Sequence, residues 1–109
     1  MQRKEYYKKT VKNVIQIFNC MKMAEEKGEM LTISKISKMT GLHKWTVSRT
    51  IDLYMSQYVE ILIPEGFDDV GLKIKFVKLK NPNMTREQAL RFLKARTLTF
   101  SPSRPQEES

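Results

Sequence analysis

Residues 35–54 read KISKMTGLHKWTVSRTIDLY, and one glycine divides them into two short helical patterns. Before Gly41 the apolar positions are Ile33, Ile36 and Met39 or Thr40. After it they are Val47, Ile51, Tyr54 and Met55, with Tyr58 just beyond. Each set recurs at helical steps of three and four residues. A turn of about three residues is all that joins them, so the two helices must cross at a fixed angle. Gly41 supplies the positive φ for that turn, and Leu42 points into the core to hold the angle. Thr32 or Ser34 caps the first of these helices, which runs to about Thr40. The second runs from about Lys44 to Gln57, with His43 at the N-cap position, where Ser or Thr is more usual. Its other face holds Trp45, Thr46, Ser48, Arg49 and Asp52, a set that a core does not need.

The flanking segments supply the rest of a small domain. Residues 4–27 carry Tyr7, Val11, Val14, Ile15, Phe18 and Met21 at helical spacing, with Ile17, Cys20 and Ala24 as a second stripe. A face this wide puts the helix at the centre of its domain or leaves a stripe for a second chain. Gly28 ends it, and "MLT" at 30–32 is a short extended piece. The period then changes to two. Val59, Ile61 and Ile63 alternate with Glu60 and Leu62; Leu72, Ile74 and Phe76 alternate with Lys73 and Lys75. Two strands joined by a connection of about eight residues form a hairpin with a long turn. After "NPN" at 81–83, a last helix spans about 84–97. Thr85 and Gln88 have capping-box spacing, and Met84 and Ala89 occupy the staple positions. Leu90, Leu93 and either Ala89 or Phe92 make its apolar stripe. Residues 1–99 form one domain, and the Pro- and Ser-rich tail 100–109 is disordered.

Charge narrows the partner. The chain of 109 residues holds 20 Lys+Arg against 12 Asp+Glu, net +8. Setting aside Arg104, Glu107 and Glu108 of the tail leaves 19 bases against 10 acids before it. Such a balance favours a polyanion, of which nucleic acid is the common case; a basic but merely soluble surface is the other reading. Cys20 is the sole cysteine, which fits a reducing compartment and a buried structural thiol. With His43 the sole histidine, no metal set forms, and no cofactor is expected. There is no secretory signal pattern, and no run approaches the roughly 20 apolar residues of a membrane span. The expected setting is cytoplasmic and nucleoid-associated. No triad, Gly-rich phosphate loop or paired catalytic carboxylates appear, so an enzyme is not expected. No ligand pocket or sensor domain is legible.

The stretch ISKMTGLHKWTVSRTIDLY resembles the helix-turn-helix of bacterial and archaeal winged-helix DNA-binding proteins. The usual string there is similar to Ile-Ala-Lys-Leu-Thr-Gly-Leu-Ser-Lys-Ser-Thr-Val-Ser-Arg-Thr-Leu. This chain matches it at Lys44, Thr46, Val47, Ser48 and Arg49, and departs from it at Ser37, His43 and Trp45. The order of elements is similar too, and the closing helix looks like that of PadR-like and MarR-like dimeric regulators. The fold class implied is α+β, mainly α: a winged helix-turn-helix with a three-helix core, a two-stranded wing and an extra C-terminal helix.

The resemblance implies a recognition helix that enters the major groove of double-stranded DNA. Lys44, Trp45, Thr46, Ser48 and Arg49 occupy its first turns, beside His43. Arg49 suits a bidentate guanine contact; an ion pair with Asp52 at i+3 is the alternative. Trp45 packs on sugar or a thymine methyl, or else covers the junction between the two helices. Lys35 and Lys38 face the backbone from the preceding helix, and Lys73 and Lys75 from the wing. The tip, with Glu65, Asp68 and Asp69, repels phosphate and departs from wings that end in Arg or Lys. Arg3, Lys4, Lys8, Lys9 and Lys12 form a further basic set that is otherwise a solvated face. A homodimer is expected through Ile17, Cys20, Leu90, Phe92 and Leu93, with packing of the last helix on its own domain as the alternative. The implied function is sequence-specific DNA binding, most simply as a transcriptional regulator. A DNA-segregation or chromatin-architectural protein that spreads along the duplex has the same features. A winged-helix module with a protein partner is the third reading.

Overall fold

The computed structural model describes residues 2–63 and 75–100, with side chains placed for 8–63 and 75–95. Its elements in order are α1 (Gln2–Lys27), β1 (Leu31–Thr32), α2 (Ile33–Thr40), α3 (Lys44–Thr50), a π-helical turn (Ile51–Met55), β2 (Val59–Leu62), β3 (Phe76–Leu79) and α4 (Arg86–Phe100). The architecture is α+β and mainly helical, with a three-stranded antiparallel sheet. The expectations for Lys73, for Glu65, Asp68 and Asp69, for Leu72 and Ile74, and for the tail beyond Phe100 lie outside the described residues.

α1 is the centre of the domain. Ile17, Cys20 and Ala24 of one stripe are buried, as are Val14, Phe18 and Met21 of the other; Val11 and Ile15 are half-buried, and the Tyr7 side chain lies outside the described residues. The chain itself covers them, because α2, α3, β3 and α4 all pack on this one helix. That corrects the dimer surface. Ile17, Cys20 and Leu93 are 0%, 7% and 0% exposed, so a second chain cannot reach them without opening the core. Leu90 is half-buried against the same core, and Phe92 is the exposed member of the five. A helix the length of α4 is marginal alone in water, and folding back onto α1 gives it the partner it needs. Its entry is fixed locally. The Thr85 hydroxyl accepts from the Gln88 N–H at 3.2 Å, and the Gln88 side-chain oxygen accepts from the Thr85 N–H at 2.9 Å. Met84 and Ala89, at the staple positions, are both buried. Ala89 rather than Phe92 completes the inward stripe.

The sheet departs from the expected two-stranded hairpin. β3 is central, with β2 on one side and β1 on the other. Leu31 pairs with Val77 and Thr32 with Phe76, so the short "MLT" piece is a true strand. β2 pairs with β3 from Val59↔Leu79 to Leu62↔Phe76. The alternation also falls one residue out of the expected phase in β3. Val77 and Leu79 face the core, which puts Phe76 on the opposite side. In β2, Val59 is buried, but Ile61 and Ile63 are 46% and 51% exposed. β2 is an edge strand, and α1 packs on the central β3, so these two side chains stand exposed at the outer end of β2.

α3 and the π-helical turn replace the single helix expected over Lys44–Gln57. The Ile51 N–H is shared between the Val47 and Ser48 carbonyls, at i−4 and i−3, where α3 passes into the π-helical turn. The core positions survive the change: Val47, Ile51, Met55 and Tyr58 are buried, and Tyr54 packs against them.

Candidate nucleic-acid interface

The α2–α3 corner is built from side chain to backbone contacts that its own sequence supplies. The Thr32 hydroxyl accepts from the Lys35 N–H at 3.1 Å and caps α2. Gly41 sits at φ 80°, and its N–H donates to the Ser37 carbonyl at 2.9 Å, closing the helix in a left-handed turn. The Thr40 hydroxyl donates to the Ile36 carbonyl and accepts from the Leu42 N–H. Ser37 donates to the Leu42 carbonyl. Thr40 therefore takes the inward position, and Met39 is exposed. Leu42 lies half-buried on the core, as the turn requires.

His43 caps α3 through Nδ1, which accepts from the Trp45 N–H at 3.0 Å. That bond needs the lone pair on Nδ1, so Nε2 carries the proton and remains a donor at an exposed residue. The cap fixes the first turn of α3, while Val47 and Thr50 anchor its inner face. What is left outward is the predicted set. Lys44, Trp45 and Arg49 are exposed, and Thr46 and Ser48 are half-buried beside them.

Trp45 is 63% exposed and does not cover the junction of α2 and α3. The Arg49 guanidinium lies 5.0 Å from its ring centroid, a cation–π contact one helical turn long. Arg49 thus stacks on Trp45, and no ion pair joins it to Asp52. Lys38 is exposed at the end of α2. Lys35 is exposed too, but its ammonium meets Glu29 at 3.6 Å. A half-exposed pair of this kind is worth about 0–1 kcal/mol and yields readily to a stronger anion. Lys75 is exposed just before β3.

Two clefts flank the Trp45–Arg49 stack. One, of about 310 Å³, opens toward Ser48, Asp52 and Leu53. The other, of about 240 Å³, opens toward α1 and is lined there by Lys9, Thr10 and Asn13. Neither Thr10 nor Asn13 carries any local signal of function. Their place beside α3 comes from the packing of α1 across it.

A larger cavity, of about 550 Å³, lies between Gln57–Tyr58, the end of β3 and α4, and shares no residue with the stack. Tyr58, Met84 and Phe92 form its apolar wall, and Lys80 and Arg91 stand at it. Its size is that of a small-molecule site, where no pocket was legible in the sequence. Nearby, the Tyr58 hydroxyl is fully buried with no hydrogen-bond partner among the described residues. Burial raises its phenol well above the ordinary 10.0. Burial likewise raises the Cys20 thiol.

Among the described residues, no group of three or more His, Cys, Asp or Glu stands where it could hold a metal ion. No helix there is long and apolar enough to cross a membrane. No family model, no curated protein and no solved structure matches this chain.

Proposed function

We propose that this protein is a winged-helix, sequence-specific binder of double-stranded DNA that acts as a transcriptional regulator. The observation that carries the proposal is the outward face of α3. It presents Lys44, Trp45, Thr46, Ser48 and Arg49 together on a helix whose inner face is locked into the core. A large exposed indole with an arginine laid across it has no packing role, and it offers both an apolar surface and a planar cation to a duplex. The net charge of +8 draws the protein to a polyanion, and α3 is the size that a major groove admits. In this reading α3 is the recognition helix, α2 crosses the backbone with Lys38, and the β2–β3 hairpin is the wing.

The test is a DNase footprint on the DNA flanking the protein's own gene, at about 150 mM salt, with Arg49→Ala in parallel. The expected result is a discrete protected site of one to two turns that the variant loses. Protection that grows outward with concentration assigns the protein instead to segregation or chromatin architecture. No protection at any salt removes both DNA roles and leaves a protein-binding module.

A further inference from the structure

We infer that the cleft between α1 and α3 is a seat for one backbone phosphate of the bound duplex, with Lys9 and Asn13 of α1 as its contacts. The inference rests on the DNA-binding reading above and adds a second element to it. Four features carry it. The cleft brings two cations, Lys9 and Arg49, to one opening from opposite helices. Among the described residues, no carboxylate pairs with either of them. The Asn13 amide and the Thr46 hydroxyl line the same opening, so neutral donors stand beside the charges. The volume, about 240 Å³, admits a phosphate group with its ester oxygens and is too small for most drug-sized ligands.

The floor makes the seat rigid. Thr10 of α1 and Thr50 of α3 are 8% and 6% exposed, and both line the cleft from below. Lys9 directly precedes one of these buried threonines, so its stem starts from a fixed backbone. Lys8, Lys9 and Lys12 are all exposed, but of the three Lys9 alone lines the cleft. A phosphate held here lies next to the Trp45–Arg49 stack, and it fixes how far α3 sits in the groove. Contacts of this kind set position and carry no base information.

The experiment measures the affinity of the intact protein for its footprinted duplex and for an unrelated duplex, across a salt series. Wild type is compared with Lys9→Gln, Asn13→Asp and, as the control outside the cleft, Lys12→Gln; thermal melts check that each variant folds. Lys9→Gln is expected to flatten the log–log salt slope by about 0.9 and to weaken binding about fivefold at 0.15 M salt, equally on both duplexes. Asn13→Asp is expected to weaken both by at least as much, because it sets a carboxylate against the phosphate. Lys12→Gln is expected to change the slope less than either. If wild type binds DNA and the cleft variants bind with its slope and affinity, the seat is overturned and the DNA reading stands. A loss confined to the footprinted duplex, with the slope unchanged, overturns it as well, since that is base readout. Failure of wild type to bind either duplex at low salt overturns the DNA reading and the seat with it. A parallel titration with inorganic phosphate separates the sources of the anion. Millimolar phosphate that shifts the Asn13 and Thr46 amide resonances, with the DNA slope of Lys9→Gln intact, assigns a free-anion site and overturns the duplex assignment.

Discussion

The guanidinium of Arg49 rests 5.0 Å from the centroid of the Trp45 ring, on the outward face of α3. The two residues are four apart, so one helical turn brings them together without help from the rest of the fold. An exposed pair of this kind contributes about 0.5–1 kcal/mol, too little to explain why a tryptophan stands in water. The stack instead pre-orders the arginine and leaves its guanidinium edge free. Trp45→Ala is expected to change folding stability by less than about 0.5 kcal/mol, as for most surface positions. Arg49→Ala is expected to lower duplex affinity by about 1–3 kcal/mol and to relax discrimination at one base pair. Thermal melts and fluorescence anisotropy on matched and mutated duplexes check both. A Trp45→Ala variant that unfolds readily would return the indole to a packing role.

Gly41 is expected to tolerate alanine poorly, although there is room for it. A Cβ there meets nothing within 4 Å, yet φ is +80°. The cost is then purely conformational, at about 1 kcal/mol or somewhat more. Chemical denaturation of Gly41→Ala measures it. A variant as stable as wild type would mean that the α2–α3 corner relaxes to another turn, and DNA binding would then report whether the helix angle survived.

The capping box of α4 gives a cleaner local test. Thr85→Ala removes the acceptor for the Gln88 N–H while leaving Met84 and Ala89 buried. The expected loss is about 1 kcal/mol. Hydrogen exchange is expected to rise in the first turn of α4 before it rises in α1, because fraying starts at the lost cap.

Tyr58 holds a buried hydroxyl that has no hydrogen-bond partner among the described residues. Tyr58→Phe removes that polar atom and keeps the ring between Phe18 and Phe92. Stability at neutral pH is expected to stay level or rise by up to about 1 kcal/mol. The pH dependence has a definite sign. Burial raises the folded phenol above its ordinary 10.0, so the folded state holds the proton more tightly than the unfolded chain does. The stability tied to this group is complete below pH 10.0 and is lost as pH climbs from there through the folded value. Denaturation curves of the two proteins are therefore expected to diverge above about pH 10, with wild type losing more.

Leu93 distinguishes a core from an interface. At 0% exposed it lies inside the protomer, so Leu93→Ala is expected to cost about 2–5 kcal/mol at every protein concentration. A midpoint that moves with concentration in wild type, and less in the variant, would show that a second chain shares the α4 contact after all.

The sequence by itself determined the local structure, because the forces there act over a few residues. The α2 cap at Thr32, the left-handed turn at Gly41, the His43 cap and the Thr85–Gln88 box are all present as the spacing predicts. The outward set on α3 follows from the same periodicity. Tertiary structure decided whatever joins distant segments. Local pattern shows that Leu31 and Thr32 are extended, but not that they pair with Val77 and Phe76. It shows two apolar stripes on α1, but not that α2, α3, β3 and α4 together close over them and leave Ile17, Cys20 and Leu93 inside the protomer. The alternation carried from Leu72 and Ile74 puts Phe76 inward, whereas Val77 and Leu79 are the buried pair on the strand that packs against α1. Likewise Lys9 and Asn13 are ordinary helix residues until the crossing of α1 and α3 sets them beside Arg49. Helical period, turn and cap are properties of short chain segments; a shared cleft is a property of the packing that brings those segments together.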